Sequence, residues 1–385
     1  MIDRNTLLKP VKRVVIKAGS GMLTGNDGLN KRVINNLSKD ICGLREKGIE
    51  VVLVSSGAIA SGLKKLGLSK RPKSISKKQA TAAVGQSSLM MAYEKAFSRY
   101  GKMVAQILIT SDDFNNRRRY LNARNTIFTL LSWKITPIIN ENDTVAFDEI
   151  KFGDNDNLSA MVANMTESHL LINLTDMDGL FDKDPRTHKD ARLINVVEKI
   201  NSDVLRYAGS DPGTMGTGGM ASKIKAARKV TLRGIPAVIA NGRRKGVLEN
   251  IFKGEEVGTL FMPQAITFCG RKHWIAFSKA PKGRLIIDRG AADALKKKGK
   301  SLLPSGIREV IGNFIRGDSV ILLDNDNREI AVGMTNYSSD EIKKIKGLKS
   351  SEIEGMLGHK DHDEVIHRDN LAVTDGIADG DFKCQ

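Results

Sequence analysis

The first 262 residues alternate short apolar runs, rich in β-branched residues, with longer segments in which apolar residues recur at helical spacing. The runs "RVVIKAG", "IEVVLVSSG" and "HLLINLTD" are almost continuously apolar until they end in small or polar residues. Strands of this kind are typical of a parallel sheet with helices on both faces. The alternation therefore predicts an α/β fold, a three-layer sandwich around a mainly parallel sheet, with ligands bound at the carboxyl ends of the strands.

The sequence changes character after Pro263. From about residue 281 the segments become shorter and Gly and turn residues more frequent, which predicts a small, β-rich, barrel-like domain. The last part is polar and acidic and holds three of the six histidines, so we expect a flexible tail, with a zinc cluster as the alternative. The predicted organisation is a first domain over 1–262, a linker over 263–280, a second domain over 281–358 and a tail over 359–385.

The net charge of +17 is carried by the first part of the chain. Residues 1–280 hold 44 basic and 26 acidic residues, whereas residues 281–385 hold 17 and 18. A positive field of this size attracts anionic small molecules or nucleic acid. The simpler explanation is a set of solvated, Lys-rich helices. Charge alone therefore does not decide between an enzyme for small anions and a nucleic-acid binder.

Three features indicate a cytoplasmic protein. Cys42, Cys269 and Cys384 are scattered and odd in number, which suits neither a disulfide framework nor a zinc site. The stretch Met1–Pro10 lacks the apolar core of a signal peptide. No window approaches the ~18 apolar residues of a membrane span, so we expect no membrane partner.

Polar residues follow four of the predicted strands, where a parallel sheet would bring them to one edge. One such end means little, because strands often stop at a Ser or Asp, but four of them are what a ligand cleft requires. The four sets are Lys17, Gly19, Ser20 and Gly21; Ser55, Ser56 and Gly57; Asn140, Glu141, Asn142 and Asp143; and Thr175 and Asp176.

The stretch "GDNDNLSA" (153–160) places two carboxylates and two amides at a predicted helix start. One Asp or Asn is enough to cap a helix, so three are in excess. An EF-hand is excluded, because Leu158 and Ser159 stand where oxygen ligands and Gly are required. A ligand-binding loop fits better, since amides can bind a carboxylate or an ammonium group and a carboxylate can orient a lysine.

Two Gly-rich turns each lie beside a lysine. Lys17 precedes "GSG", whose backbone N–H groups can form an anion nest, and "GTGGMASK" (216–223) runs into a basic helix with Lys223 in its first turn. The alternatives are a Lys17 that snorkels to the surface and a flexible loop at 216–223. Two lysines around a transferred phosphoryl group, ordered by an Asp, would suit phosphoryl transfer.

On eight stretches the chain resembles the glutamate 5-kinases of the amino-acid-kinase family. These stretches occur in the family's order over almost all of residues 11–262, and "INEND" with "GDNDNLSA" separates the chain from acetylglutamate, aspartate and uridylate kinases. The stretches are "VVIKAGSGMLTG", "VVLVSSGAIASG", "AAVGQSSLM", "LNARNT", "PIINENDTVA", "EIKFGDNDNLSA", "LTDMDGLFDKDPR" and "GTGGMASKIKAA".

The resemblance implies ATP-dependent phosphorylation of the side-chain carboxylate of L-glutamate to L-glutamyl 5-phosphate, the first step of proline biosynthesis from glutamate. It further implies Mg²⁺ with ATP, proline as a feedback inhibitor and a homo-oligomer. No residue of the chain is assigned to a metal. The alternatives are another activity of the same family, such as that of acetylglutamate kinase, and an RNA-binding regulator.

The same resemblance assigns the site residues. The catalytic residues are Lys17 and Lys223, with Asp156 organising them. The glutamate-binding residues are Ser56, Asp143, Asp154 and Asn155. The ATP-binding residues are Lys17, Gly19, Ser20, Thr175, Asp176, Thr217, Gly218, Gly219, Met220, Ala221, Ser222 and Lys223. Two positions depart from the family's pattern, because Ala18 stands where a bulky residue is usual and Gly21 where a hydroxyl is usual.

Residues 281–358 resemble a PUA domain, a small β-barrel found in many RNA-modifying enzymes. The likeness rests on "GRLIIDRGAADAL", "SLLPSGI" and "GNFIRGDSV". We do not expect RNA as a partner, because the segment has few aromatic residues on which bases could stack and because a fold does not fix a function.

Overall fold

A computed structural model describes residues 4–25, 28–70, 72–145, 155–207, 219–264 and 281–373. The chain forms two compact units, Met1–Gln264 and Ala265–Gln385. Within the described residues, no helix combines the length and apolar character needed to cross a membrane.

The first unit alternates strands and helices as the sequence predicts. Its strands are β1 (Arg13–Ala18), β2 (Thr24–Gly25), β3 (Gly28–Leu29), β4 (Glu50–Ser55), β5 (Val104–Ile109), β6 (Thr136–Glu141), β7 (Leu170–Thr175), β8 (Val196–Val197), β9 (Ala237–Asn241) and β10 (Thr259–Phe261). Its helices are α1 (Arg4–Leu8), α2 (Ser20–Leu23), α3 (Lys31–Glu46), α4 (Ala58–Lys65), α5 (Ile75–Ser98), α6 (Ser111–Asn115), α7 (Arg117–Ser132), α8 (Asn155–Met165), α9 (Ser202–Tyr207), α10 (Met220–Thr231) and α11 (Val247–Phe252).

Eight of these strands form one sheet in the order β5-β6-β4-β1-β7-β9-β10-β8, counted over the described residues. All neighbours are parallel except β9 and β10, which are antiparallel. After β1 the chain adds β4 beside it, places β5 at the edge and inserts β6 between β4 and β5, and it then crosses to the other side of β1 with β7. The predicted mainly parallel sheet is confirmed, and its order reverses at β1, which is where such sheets bind ligands.

The side chains of β1 alternate between the two faces of the sheet. Val14 and Ile16 belong to the core on the side of α3 and α5, whereas Val15 belongs to the core on the side of α8 and α10. Helices therefore cover both faces and make the predicted three layers. By the same alternation Lys17 lies on the Val15 face and points toward α8 and α10.

Helix α4 was not predicted from the sequence. It begins after Gly57, whose φ of 106° lies in the left-handed region that favours glycine. Gly62 brings α4 so close to α5 that an added Cβ would overlap the carbonyl group of Thr81. Helix α4 spans only eight residues and contains Gly62, a poor helix former, so the sequence pattern did not mark it as a helix.

The second unit has a sheet and an apolar core of its own. The described strands are β11 (Gly283–Ile287), β12 (Ile307–Gly312), β13 (Ser319–Leu323), β14 (Glu329–Met334) and β15 (Leu371–Val373), with helices α12 (Arg289–Lys298), α13 (Ser339–Ile345) and α14 (Ile353–Leu357). They pair in the order β12-β11-β13-β14-β15, with only β11 and β13 parallel. The predicted small β-rich domain is confirmed.

The predicted tail over 359–385 is wrong for its first part. Val365 and Ile366 are fully buried, and β15 pairs with β14. These few apolar residues complete the second core, and the surrounding acidic residues hid them from the sequence pattern. Within the described residues no group of three or more His, Cys, Asp or Glu is placed to hold a metal ion. Residues 374–385 lie outside the described part.

Candidate active site

Asp156 lies in the first turn of α8 and is fully buried. Its Oδ1 is 2.5 Å from Lys17 Nζ, and its Oδ2 is 3.1 Å from Lys223 Nζ. Lys17 comes from the end of β1 and Lys223 from the first turn of α10, and both lysines are buried. One carboxylate therefore holds two ammonium groups from distant parts of the chain in a single cluster.

Two uncharged donors complete the surroundings of Asp156. Asn173 Nδ2 donates to its Oδ1 at 2.8 Å, and Ser222 Oγ donates to its Oδ2 at 2.6 Å. Burial alone would raise the pKa of Asp156, but the charges of Lys17 and Lys223 outweigh burial and hold that pKa well below its usual range. The cluster thus contains two cations and one anion at neutral pH, which leaves one net positive charge.

A second, uncharged group of polar side chains surrounds Asn155, the residue before Asp156. Asn155 Nδ2 lies 3.0 Å from Ser55 O, 2.8 Å from Ser56 Oγ and 3.1 Å from Asn140 Oδ1. Asn140 Nδ2 in turn donates to Gln86 Oε1 of α5 at 2.8 Å. The amides join the ends of β4 and β6 to α8, and they present neutral donors and acceptors beside the charged cluster.

The turn between β1 and α2 packs against the end of β7. Gly19 N donates to Leu174 O at 3.0 Å, and Thr175 Oγ1 donates to Asp176 Oδ1 at 3.1 Å. A Cβ at Gly21 would stand 3.0 Å from Asp176 Oδ2. The predicted nucleotide contacts of β1 and β7 therefore lie side by side.

The first turn of α10 also contacts the charged cluster around Asp156. Gly219 precedes this helix, which Met220 and Ala221 open, and the Gly219 carbonyl oxygen is 2.8 Å from Ser222 Oγ. Ser222 thus links the Gly-rich stretch to the carboxylate of Asp156. Lys223 lies in the first turn of this helix, as the sequence predicts, and residues 216–218 of the Gly-rich stretch lie outside the described part of the chain.

Three predicted residues lie outside the described part of the chain: Asp154, Thr217 and Gly218. Asp143 is described and lies half-buried in the turn after β6. Ser20 lies exposed at the start of α2. The structure therefore gives positions for most of the predicted site, and the remaining assignments stay predictions.

Sequence reasoning missed two side chains that contact the clusters. Asn173 is a single amide inside the apolar run of β7, and Gln86 lies in α5 within the family-like stretch "AAVGQSSLM", to which no role was assigned. A lone Asn in a fully buried strand was the available signal, because a buried amide needs a hydrogen-bond partner. For Gln86 the available signal was its place in the family-like stretch "AAVGQSSLM".

Comparison with known proteins gives the family. The model described as "Amino acid kinase family" matches residues 12–241, and the model described as "PUA domain" matches residues 283–357. The chain belongs to the amino acid kinase family. The resemblance noted from its motifs is thus confirmed, and the two matched regions fall in the two compact units of this amino acid kinase.

Curated relatives of this amino acid kinase carry the name "Glutamate 5-kinase". The protein of Syntrophotalea carbinolica is 53% identical over 96% of this chain and 99% of its own length. The protein of Geobacter sulfurreducens is 53% identical over 96% and 100%, and that of Caldanaerobacter subterraneus subsp. tengcongensis 51% identical over 94% and 98%. A solved structure, the UMP kinase from Bacillus anthracis, matches with a TM-score of 0.45 at 20% identity, over 66% of this chain and 98% of that one.

Proposed function

We propose that the chain transfers the terminal phosphoryl group of ATP to the side-chain carboxylate of L-glutamate. The products are ADP and L-glutamyl 5-phosphate, and the reaction is the first step of proline synthesis from glutamate. The similarity to proteins named glutamate 5-kinase over nearly the whole chain supports the substrate. The observation that carries the mechanism is the buried carboxylate of Asp156 between Lys17 and Lys223.

The chemistry of the acceptor explains why lysines form the centre of this site. A glutamate side chain has a pKa near ~4.3, so at neutral pH it is already an anion and needs no general base. One carboxylate oxygen forms a bond to the γ-phosphorus while the bond from that phosphorus to the bridging oxygen of ATP breaks. The obstacle is repulsion between two anions, and two fixed ammonium groups reduce it in the ground state and in the transition state.

In this mechanism Asp156 is a positioning residue. Its depressed pKa keeps it ionised at neutral pH, so it holds no proton to deliver. It fixes Lys17 Nζ and Lys223 Nζ on its two oxygens, and Asn173 and Ser222 hold the carboxylate itself. The two ammonium groups are then in place before the substrates arrive, which removes an ordering cost from the reaction.

The amide group around Asn155 is proposed to bind glutamate. Asn155, Ser56 and Asn140 offer neutral hydrogen-bonding groups next to the lysines, and Asp143 lies in the following turn with a carboxylate that suits the substrate ammonium group. The three neutral side chains add no negative charge of their own beside the phosphates of ATP.

Magnesium is proposed to arrive with ATP. The oxygens of Asp156 already contact two lysines, an Asn and a Ser, and the described residues contain no cluster of acidic side chains for a metal. Such a site fits Mg²⁺ that is bound mainly by phosphate oxygens with few protein ligands. Bound there, the ion would neutralise charge on the phosphates.

Three further parts of the proposal concern regulation and context. Proline, which shares the α-carboxylate and amino nitrogen of glutamate, is proposed to inhibit by occupying the amide group. A homo-oligomer is proposed. Leu108 of the edge strand β5 and Met103, directly before that strand, are exposed apolar side chains that support a subunit contact there. A cytoplasmic location is proposed because the reaction consumes ATP.

The test is a trapping assay with purified full-length protein, ATP, magnesium and hydroxylamine. An acyl phosphate reacts with hydroxylamine to give a hydroxamate, so L-glutamate should yield hydroxamate together with equimolar ADP. N-acetyl-L-glutamate and L-aspartate serve as comparison substrates. ADP formation that is independent of glutamate, or a clear preference for N-acetylglutamate, would refute the proposed substrate.

A further inference from the structure

The loop that follows β9 lies against the two strand ends proposed to bind the nucleotide. Its sequence is "NGRRKG" (241–246). Gly242 N donates to Thr175 O at 2.9 Å and so extends the pairing of β7 with β9 beyond the strands. A side chain at Gly242 would overlap Met22 of α2, so the loop packs directly on the helix that follows β1.

The two arginines of the loop make different contacts. Arg244 pairs with Asp178 at 2.7 Å, and Asn241 Nδ2 donates to the same aspartate at 2.9 Å. Arg243 instead reaches the turn after β1, where its Nη2 donates to the carbonyl oxygen of Gly21 at 2.6 Å. Across the part of the chain that the structure describes, Arg243 forms no ion pair with an acidic side chain.

We propose that Arg243 binds the phosphate groups of the nucleotide and is an additional cation of the ATP site. The proposal rests on the proposed function, because that function places ATP along the β1 turn and the end of β7. Gly21, which fixes the guanidinium group, follows Ser20 and stands next to the carboxylate of Asp176. A guanidinium group has five N–H donors and Gly21 uses one, so donors remain for a ligand.

The charge of the site gives a reason for such a residue. The cluster of Lys17, Asp156 and Lys223 carries one net positive charge, whereas ATP and glutamate together bring several negative charges. Arginine is well suited to phosphate because its planar group donates two parallel hydrogen bonds. The contact with Gly21 also restricts the side chain before ligand arrives, which lowers the entropy that binding removes.

The experiment compares Arg243→Ala, Arg243→Lys and the matched control Lys245→Ala in the full chain. Lys245 is an exposed cation of the same loop, so its removal changes the net charge equally without touching the β1 turn. We expect Arg243→Ala to weaken the binding of ATP, measured by calorimetry with its imido analogue, by about 10-fold, as for one charge-assisted hydrogen bond. The KM for ATP should rise in parallel and the KM for glutamate stay within about twofold, with Arg243→Lys in between.

Two results would overturn the inference. If Lys245→Ala weakens nucleotide binding as much as Arg243→Ala does, the effect comes only from the long-range electrostatic field of the loop. If Arg243→Ala binds the nucleotide normally but has a lower melting temperature, the contact with Gly21 only stabilises the turn. The calorimetric titration needs no phosphoryl transfer. If the wild-type protein binds the nucleotide but does not phosphorylate glutamate, the proposed function fails while the titration still decides the role of Arg243.

Discussion

Asn155 and Asp156 are consecutive residues in the first turn of α8, yet they belong to two different halves of the site. Asp156 faces β1, β7 and α10 and holds two ammonium groups, whereas Asn155 faces the ends of β4 and β6 and contacts only neutral groups. One helix start thus separates a charged half from an amide half. Under the proposed function, this one turn would place the charged half at the phosphoryl group and the amide half at the α-ammonium and α-carboxylate groups of glutamate.

The largest effect should come from removing the anion of the charged half. Asp156→Asn would leave Lys17 and Lys223 buried and facing each other without a counter-ion. We expect turnover to fall by about 1000-fold, since two oriented cations are lost together, and the free energy of unfolding to fall by about 3–5 kcal/mol. Turnover in the trapping assay and urea unfolding measure the two losses.

The control for this change is Asp340→Asn, which removes an exposed aspartate paired with Lys343 in the second unit. It should alter neither turnover nor the unfolding midpoint measurably. Normal turnover in Asp156→Asn would show that the two lysines do not depend on this carboxylate.

Removing one cation should have the next largest effect. Lys17→Ala and Lys223→Ala should each lower turnover by at least ~100-fold, because each ammonium group stabilises charge on the transferred phosphoryl group. Lys225→Ala is the matched control, since Lys225 is exposed on the same helix as Lys223. Near-normal turnover in either folded site variant would remove that lysine from the mechanism.

Removing a side chain from the amide half should weaken glutamate affinity more than it lowers turnover. Asn155→Ala should raise the KM for glutamate by about 10-fold, as for the loss of one or two hydrogen bonds, with the KM for ATP almost unchanged. Asn157→Ala serves as the control, because Asn157 lies in the same turn but contacts Lys229. Equal increases in both KM values would mean that the two halves are not separate.

Low pH should selectively reduce the contribution of Asp156 to the free energy of unfolding. The pKa of Asp156 is depressed in the folded state by Lys17 and Lys223 despite burial. Its contribution to stability is therefore fully present above the unfolded value of about 3.9 and is lost as the pH falls toward the folded pKa. The difference in unfolding free energy between wild type and Asp156→Asn should narrow between about pH 5 and pH 2, and a difference that grows there would contradict the assignment.

Removing the second unit should have the smallest effect on kinase activity. Both halves lie before Gln264, and each unit has its own apolar core. A chain that ends near Lys279 should fold and retain kinase activity. Steady-state kinetics provide the measurement, and a folded truncation without glutamate-dependent transfer would contradict the modular organisation.

The charge of the second unit predicts how strongly the chain binds RNA. Residues 281–358 carry 14 basic and 11 acidic residues, so any RNA affinity of the full chain should be weak and fall steeply with salt. A salt titration measures this, and tight, salt-resistant, sequence-selective binding would add a nucleic-acid function.

The sequence predicted five strands of the first unit well because they are buried almost throughout and therefore nearly continuously apolar, namely β1, β4, β6, β7 and β9. It did not predict the short strands β2, β3, β8 and β10. The two Gly-rich turns drew attention to Lys17 and Lys223, and the family resemblance singled out Asp156 within "GDNDNLSA". The sequence did not predict Asn173 or Gln86, because their roles depend on which strands and helices become neighbours. Strand order is a property of the whole fold, and local patterns do not encode it.

The burial of Lys17 has a consequence for the nascent chain. Its carboxylate partner, Asp156, comes more than a hundred residues later in the chain. Strand β7, which pairs with β1, is synthesised after Asp156. Until the ribosome has made the chain as far as β7, the end of β1 carries an ammonium group that can be hydrated but not buried at low cost. The central strand of the sheet therefore cannot reach its final environment early in synthesis, and we expect the first unit to become protease-resistant late and in a single step.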